Sequence, residues 1–185
     1  MTEHEKIIMH KEARRISDKE MLCAVLDLSR YCVVALHDEP YPYVVPMNFG
    51  YVWEEKLVVY FHMAIEGHRI ELIKKNPNVS INVCSFLDRR GFAPFRKENH
   101  DYRSVSIFGK AEIILPDNEE EFLKGMSALN VHNDRPPATE MIPIFKNRLF
   151  VLKVTADIVT GKAQYPISTL EEVAMPENVP APAAE

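Results

Sequence analysis

The chain has 185 residues, a formal net charge of −5 and 46% hydrophobic residues, the composition of one ordinary globular domain. The negative charge and a pI of about 5.8 argue against a broadly cationic nucleic-acid binder, and no apolar run reaches the ~18 residues of a membrane span. The three cysteines form no CxxC pair and the charged N-terminus lacks a signal-peptide pattern, so we expect a cytoplasmic protein with reduced thiols and no membrane or nucleic-acid partner.

The chain begins with a polar segment, residues 1–16, that we interpret as an N-terminal arm. A helix is predicted over residues 17–28, because Ser17 and Glu20 have the spacing of a capping box. The apolar residues that follow fall on one helical stripe: Met21, Leu22, Val25 and Leu26.

Six later segments are predicted strands, because they are rich in aromatic and β-branched residues or alternate between apolar and polar side chains. They are residues 31–36, 43–51, 57–62, 79–86, 102–115 and 148–159. Two helices interrupt them, one over residues 67–75 and one that begins after Asp117. The second carries its apolar side chains on one face: Phe122, Leu123, Met126 and Leu129.

Strands at such short spacing, mostly joined by hairpin-length links, favour an antiparallel sheet closed into a barrel. The predicted fold class is therefore mainly β (α+β), a six-stranded antiparallel β-barrel with flanking helices. Its domain spans residues 17–163. Residues 164–185 are rich in Pro, Ala and acidic residues, and we expect a tail that is mobile or packs on a partner subunit.

The segment after the third predicted strand holds the residues most typical of ligand binding. Gly67 is followed by His68 and Arg69 at the start of a helix, where free amides, the helix dipole and a guanidinium can bind a phosphate. The alternative is a surface arginine on an ordinary helix, and spacing alone favours that alternative. His62 and His68 have no third ligand at metal spacing, so no metal site is expected.

The same segment resembles a known family. Phe61, Gly67, His68-Arg69 and Asn76-Pro77 resemble the flavin-phosphate segment of the pyridoxamine 5′-phosphate oxidase-like split-barrel family, with the closer resemblance to its 5-nitroimidazole resistance branch. Residues 43–51, 102–112 and 160–162 match further motifs of that family in the same order. Together these stretches cover about residues 14–163.

The resemblance implies a six-stranded antiparallel split β-barrel and a homodimer that binds FMN in the cleft between its two barrels. Residues 45–48 would run along the flavin ring, and the end of the third strand would meet the ribityl chain. His68 and Arg69 would hold the phosphate, and Ser104 would face a ring heteroatom. The implied FMN-binding residues are Val45, Pro46, Met47, Asn48, His62, Met63, His68, Arg69 and Ser104.

The resemblance also makes His62 the candidate catalytic residue, since a histidine can supply the proton that accompanies hydride delivery to a nitro group. A structural or cofactor-positioning histidine is the alternative reading. The predicted function is a flavin-dependent oxidoreductase that reduces a nitro or similar small-molecule electron acceptor, with FMN as cofactor and FAD as a second candidate.

Two alternatives remain open. One is a non-catalytic flavin- or haem-binding split-barrel module, and the other is a scaffold barrel with an empty cleft.

Two departures from the family also bear on the substrate. The C-terminus lacks the oxidase branch's arginine-bearing substrate clamp, which argues against pyridoxamine phosphate oxidation, and the loop of residues 87–100 differs from the patterns of the resistance branch.

Overall fold

The computed structural model describes residues 12–88, 100–164, 167 and 169–173. After a 3₁₀ turn at Glu12–Arg14, the strands are β1 Arg15–Ile16, β2 Tyr31–Leu36, β3 Tyr43–Asn48, β4 Gly50–Trp53, β5 Leu57–Ala64, β6 Asn78–Asp88, β7 His100–Ile114 and β8 Leu149–Ala163. The helices are α1 Lys19–Asp27, α2 His68–Lys75, α3 Glu119–His132, α4 Pro143–Arg148 and α5 Leu170–Val173. None of the described helices has the length and apolar composition needed to cross a membrane.

The strands form one sheet in the order β3-β2-β6-β7-β8-β5-β4, and β1 pairs with β8. Strand pairing is antiparallel between β2 and its neighbours β3 and β6, and between β5 and its neighbours β4 and β8. The predicted class, mainly antiparallel β with flanking helices, is confirmed. The described residues contain eight strands rather than six, because the prediction missed the two-residue β1 and merged β3 with β4.

The break between β3 and β4 has a tertiary cause. Residues before Phe49 pair with β2, whereas Gly50 and the residues after it pair with β5. Gly50 also lies against α3, and a Cβ added there would be 2.3 Å from the carbonyl group of Ala128. The run of residues 43–51 reads as one strand locally, but its two halves have different neighbours.

The chain divides into two compact units. One comprises Met1–Ser29, Val83–Ser106 and Thr160–Glu185. In it, the first helix begins at Lys19, and Asp18 is its cap because its carboxylate accepts a hydrogen bond from the Met21 amide at 2.9 Å. The predicted Ser17 cap is therefore wrong by one residue. Helix α1 contacts α5, so part of the predicted tail packs on its own chain.

The other unit comprises Arg30–Asn82 and Ile107–Val159. Its helix α3 lies on β4 and β5, where its apolar side packs around the buried residues Tyr60, Ile114, Phe122, Met126, Leu129 and Val151. The Tyr60 hydroxyl donates to Glu121 Oε1 at 2.8 Å, and Lys153 Nζ lies 3.0 Å from the same oxygen. This polar triad joins α3 to β5 through Tyr60 and to β8 through Lys153.

The residues of the predicted arm before Glu12 lie outside the described residues. The same is true of residues 89–99 in the loop that differs from the resistance branch, and of most of the predicted tail.

Candidate functional site

A cavity of about 790 Å³ opens in the unit that contains α3. Its lining includes the polar residues Arg30, Asn48, His62 and Arg135. It also includes the apolar residues Met126, Leu129, Phe145 and Leu149. A cavity of this volume with a few convergent polar groups is typical of a small-molecule site.

The position of His62 follows from the alternation of β5. Tyr60 and His62 lie on the same face of β5. The core cluster around α3 covers this face at Tyr60 but does not extend to His62. His62 is therefore exposed and lines the cavity. The next residue, Met63, is 3% exposed and faces the opposite side of β5, so its side chain belongs to the core.

The electrostatic environment of His62 favours a neutral ring. Partial burial lowers its pKa, and the guanidinium groups of Arg69 and Arg135 lower it further because they repel imidazolium. At pH 7 the neutral form therefore predominates, with one N–H donor and one nitrogen acceptor. Such a ring can orient a ligand by hydrogen bonding, and it holds a proton only at lower pH.

Arg69, at the start of α2, lies near enough to His62 to lower its pKa, although it does not line the cavity. Gly67, the N-cap, has a φ of +129°, a conformation that favours glycine, and it makes no side-chain capping bond. A Cβ at Gly67 would meet nothing within 4 Å, so the space beside its Cα is open. Arg69 Nη1 donates to Met47 Sδ at 3.4 Å, and no carboxylate among the described residues pairs with it.

His68, the other predicted phosphate ligand, has a different partner. Its Nε2 lies 2.8 Å from Asp38 Oδ2, and its ring packs edge-on against Tyr43. The hydrogen bond to Asp38 raises the pKa of His68 and lowers that of Asp38. Protonated His68 is therefore stabilised by a carboxylate of the chain itself, whereas the resemblance implied that it would bind a phosphate.

Asn48 connects β3 to the end of α3 and the residues after it. We call residues 130–136 the 130–136 turn. The side-chain amide nitrogen of Asn48 donates to the Arg30 carbonyl at 3.2 Å and to Asn133 Oδ1 at 3.4 Å. Asn133 in turn donates to the carbonyls of Phe49 and Leu129. Asp134, in the left-handed region with a φ of 55°, pairs with Arg30. These bonds fix the polar rim of the cavity.

The structure thus brings Asn48 and His62 together at one cavity, and places Arg69 in contact with Met47 and near enough to His62 to lower its pKa. Val45 and Pro46 lie on the edge strand β3, where the missing amide of a proline is tolerated. Ser104 belongs to the other unit, where its hydroxyl donates to the Lys162 carbonyl at 3.5 Å. The described residues contain no cluster of three or more metal-ligating side chains.

The sequence interpretation missed Arg30, Asn133 and Arg135. The run Asn133-Asp134 followed by Pro136-Pro137 is a signal for a helix end and a turn, but nothing in it indicates that the turn borders His62.

Comparison with known proteins identifies relatives of the chain. Residues 18–163 match the family model described as pyridoxamine 5′-phosphate oxidase. A proposed 5-nitroimidazole antibiotic resistance protein from Bacteroides thetaiotaomicron is 28% identical, with a TM-score of 0.64 over 80% of this chain and 86% of that chain. A search of curated proteins gives no match.

Two more distant structures share the fold. The FAD and heme binding protein from Mycobacterium smegmatis is 18% identical, with a TM-score of 0.63 over 93% of this chain and 91% of that one. A FAD-binding protein from Mesorhizobium loti is 24% identical, with a TM-score of 0.55 over 81% and 96% of the two chains. These likenesses confirm the predicted split-barrel class. Because the family model matches well over half of its length, the chain belongs to the pyridoxamine 5′-phosphate oxidase family.

Proposed function

We propose that the protein is a flavin-dependent oxidoreductase that passes electrons to a nitro compound or a similar small acceptor. The observation that carries the proposal is the position of His62, which lines a cavity of about 790 Å³ and lies near Arg69 of α2. Family membership and the likeness to the proposed 5-nitroimidazole resistance protein support the same function.

The residues present fit the phosphate of a flavin. Helix α2 begins without a side-chain cap, the space beside the Gly67 Cα is open, and Arg69 has no carboxylate partner among the described residues. Arg69 is therefore the residue that would hold the phosphate, since a guanidinium binds phosphate oxygens two at a time. His68 would contribute only if it left Asp38. FMN is the favoured cofactor, and FAD is the alternative because FAD-binding proteins share the fold.

The chemistry assigns a role to His62. Reduction of a nitro group to a nitroso group takes two electrons and two protons and releases one water. A bound flavin, once reduced by NAD(P)H, would supply a hydride, which carries both electrons and one of the two protons. His62 would supply the second proton from a ring nitrogen, and its lowered pKa predicts that this step slows as the pH rises from 5 to 7.

A homodimer is part of the proposal. Tyr31 and Val33 of β2 and Val44 and Pro46 of β3 lie on one face of the sheet and are exposed, with Tyr31 at 61% and Val44 at 57%. Contiguous exposed apolar residues of this kind mark an interface. Sedimentation should give twice the 21.3 kDa of one chain, and Val44→Glu should shift the mass towards the monomer. A monomeric wild-type protein would contradict this part.

Flavin binding is tested first, on the purified full chain. We expect flavin absorbance and release of FMN, or of FAD, on denaturation, identified by mass spectrometry. Arg69→Gln should weaken FMN binding at least 10-fold, because a charge-assisted contact to phosphate contributes about 1.5–3 kcal/mol. Lys74→Gln, an exposed cation in the last turn of the same helix, is the matched control and should bind normally. Equal affinity in the two variants would refute the role of Arg69.

Turnover then separates the enzyme from a binding module. NAD(P)H-driven reduction of nitro compounds or quinones is the expected result. His62→Asn should slow it while flavin remains bound, whereas His37→Asn, at an exposed histidine that does not line the cavity, should not. Bound flavin without any turnover would favour a non-catalytic flavin- or haem-binding module instead.

A further inference from the structure

The charges that line the cavity leave one cation uncompensated. Arg30 and Asp134 pair with each other, so their charges cancel. Arg135 is the remaining charged residue of the lining, and it has no carboxylate partner among the described residues. With His62 neutral at pH 7, the lining carries a net charge of about +1. This balance suits a ligand with one negative charge better than a dianion.

The backbone on both sides of Arg135 is fixed. Its amide donates to the Asn130 carbonyl at 2.8 Å, and the Asn130 side chain donates to the Pro136 carbonyl at 3.0 Å. Pro136 restricts the backbone further through its ring. Arg135 is therefore held at the cavity by the 130–136 turn, and less ordering entropy is lost when it binds a ligand.

Four apolar residues of the lining form what we call the apolar wall. Met126 and Leu129 project from α3, and Phe145 of α4 packs against Phe122 with 5.9 Å between the ring centroids. Leu149 at the start of β8 completes the wall. A ligand in the cavity would therefore meet aliphatic and aromatic surface as well as the guanidinium of Arg135.

From these observations we propose that the cavity binds a small amphipathic monocarboxylate, and that Arg135 is the specificity-determining residue that pairs with the carboxylate. Its apolar body would contact the wall formed by Met126, Leu129, Phe145 and Leu149. The inference rests on the proposed function, since this ligand would be the electron acceptor that the flavin site serves. It adds the substrate class and names the residue that selects it.

The test compares two ligands of the same shape that differ in charge, 4-nitrobenzoate and 4-nitrobenzamide. Each is titrated calorimetrically into the full chain as purified, with its flavin content measured. Wild type should bind the acid at least 10-fold more tightly than the amide, because a charge-assisted bidentate contact is lost with the amide. Arg135→Gln should remove that preference with less than a twofold change for the amide. Arg135→Lys should retain part of it.

Arg148→Gln is the matched control, since Arg148 is an exposed arginine at the end of α4 that does not line the cavity. This variant should keep the wild-type preference.

Equal binding of acid and amide by wild type would overturn the inference. So would a loss of flavin affinity in Arg135→Gln, because the arginine would then be a cofactor ligand. A preference that depends on Arg135 without any reduction of either compound would support the inference and refute the oxidoreductase. Reduction of both compounds at equal efficiency would support the oxidoreductase and refute the inference.

Discussion

Tyr60→Phe tests how α3 is held on the strands below it. Tyr60 is 1% exposed, and its hydroxyl donates to Glu121 Oε1, which also pairs with Lys153. Phenylalanine keeps the ring and its packing and removes the hydroxyl alone. The substitution therefore isolates one hydrogen bond to a carboxylate.

The expected cost follows from the geometry of the triad. A hydrogen bond to a charged group contributes about 1.5–3 kcal/mol. Lys153 still pairs with Glu121 in the variant, and Glu121 keeps 24% of its side-chain surface in solvent, so we expect the lower half of that range. In a chain of this size, about 2 kcal/mol lowers the midpoint of thermal unfolding by about 4–8 °C.

The pH dependence gives a second, independent check. Burial alone would raise the pKa of Glu121, but the Tyr60 hydroxyl and Lys153 outweigh it, and the pKa lies below its ordinary value. A carboxyl group with a depressed pKa stabilises the folded state above its unfolded pKa, about 4.3, and this contribution is lost as the pH falls through the folded pKa. The difference in stability between wild type and Tyr60→Phe should therefore be constant from pH 7 to 5 and shrink below pH 4.

Urea unfolding followed by circular dichroism at pH 7, 5 and 3.5 measures both effects. Tyr41→Phe, at a tyrosine that is 80% exposed, is the control and should leave the unfolding midpoint unchanged. A variant as stable as wild type at pH 7 would refute the reasoning. A difference that grows in acid would refute it as well, because the sign of the linkage would then be opposite.

Two further predictions address backbone packing and the phosphate segment. Gly50→Ala should lower the free energy of unfolding by about 1–3 kcal/mol, because its Cβ would lie 2.3 Å from the Ala128 carbonyl group; an unchanged melting curve would contradict the contact between β4 and α3. Asp38→Asn should move the NMR titration of His68 to lower pH, because the carboxylate that raises the pKa of His68 is lost. A raised histidine pKa stabilises the fold below the unfolded value, about 6.5, and the effect fades as the pH rises through the folded pKa, so the variant's deficit should be larger at pH 6 than at pH 8.

Local pattern was sufficient to predict most of the elements. The strand at Tyr31–Leu36 was predicted with the bounds that the structure has, because an aromatic and β-branched run ends there at a proline turn. The helix that begins at His68 was predicted to within one residue, from Gly67 before it and Asn76-Pro77 after it. Errors arose where a distant partner decides the structure, as at Phe49, where the chain changes from one neighbouring strand to another.

The site was predicted less completely than the fold, for the same physical reason. His62 and Arg69 stand in one segment of the sequence, so a motif can indicate both. The bond between His68 and Asp38 joins residues 30 positions apart, and Arg135 lies 73 positions after His62. Neither relation leaves a periodic signal, because each depends on tertiary contacts between elements that are distant in sequence.

The anchoring of the 130–136 turn bears on how such a protein diversifies. Asn130 and Asn133 hold the turn through backbone carbonyls, which every amino acid provides, so the identity of residue 135 is independent of the bonds that shape the loop. A single codon change there can exchange a cation for a neutral or acidic group without disturbing the scaffold. Under the proposed role of Arg135, such a substitution would change which compounds bind, while the residues around Arg69 stay the same.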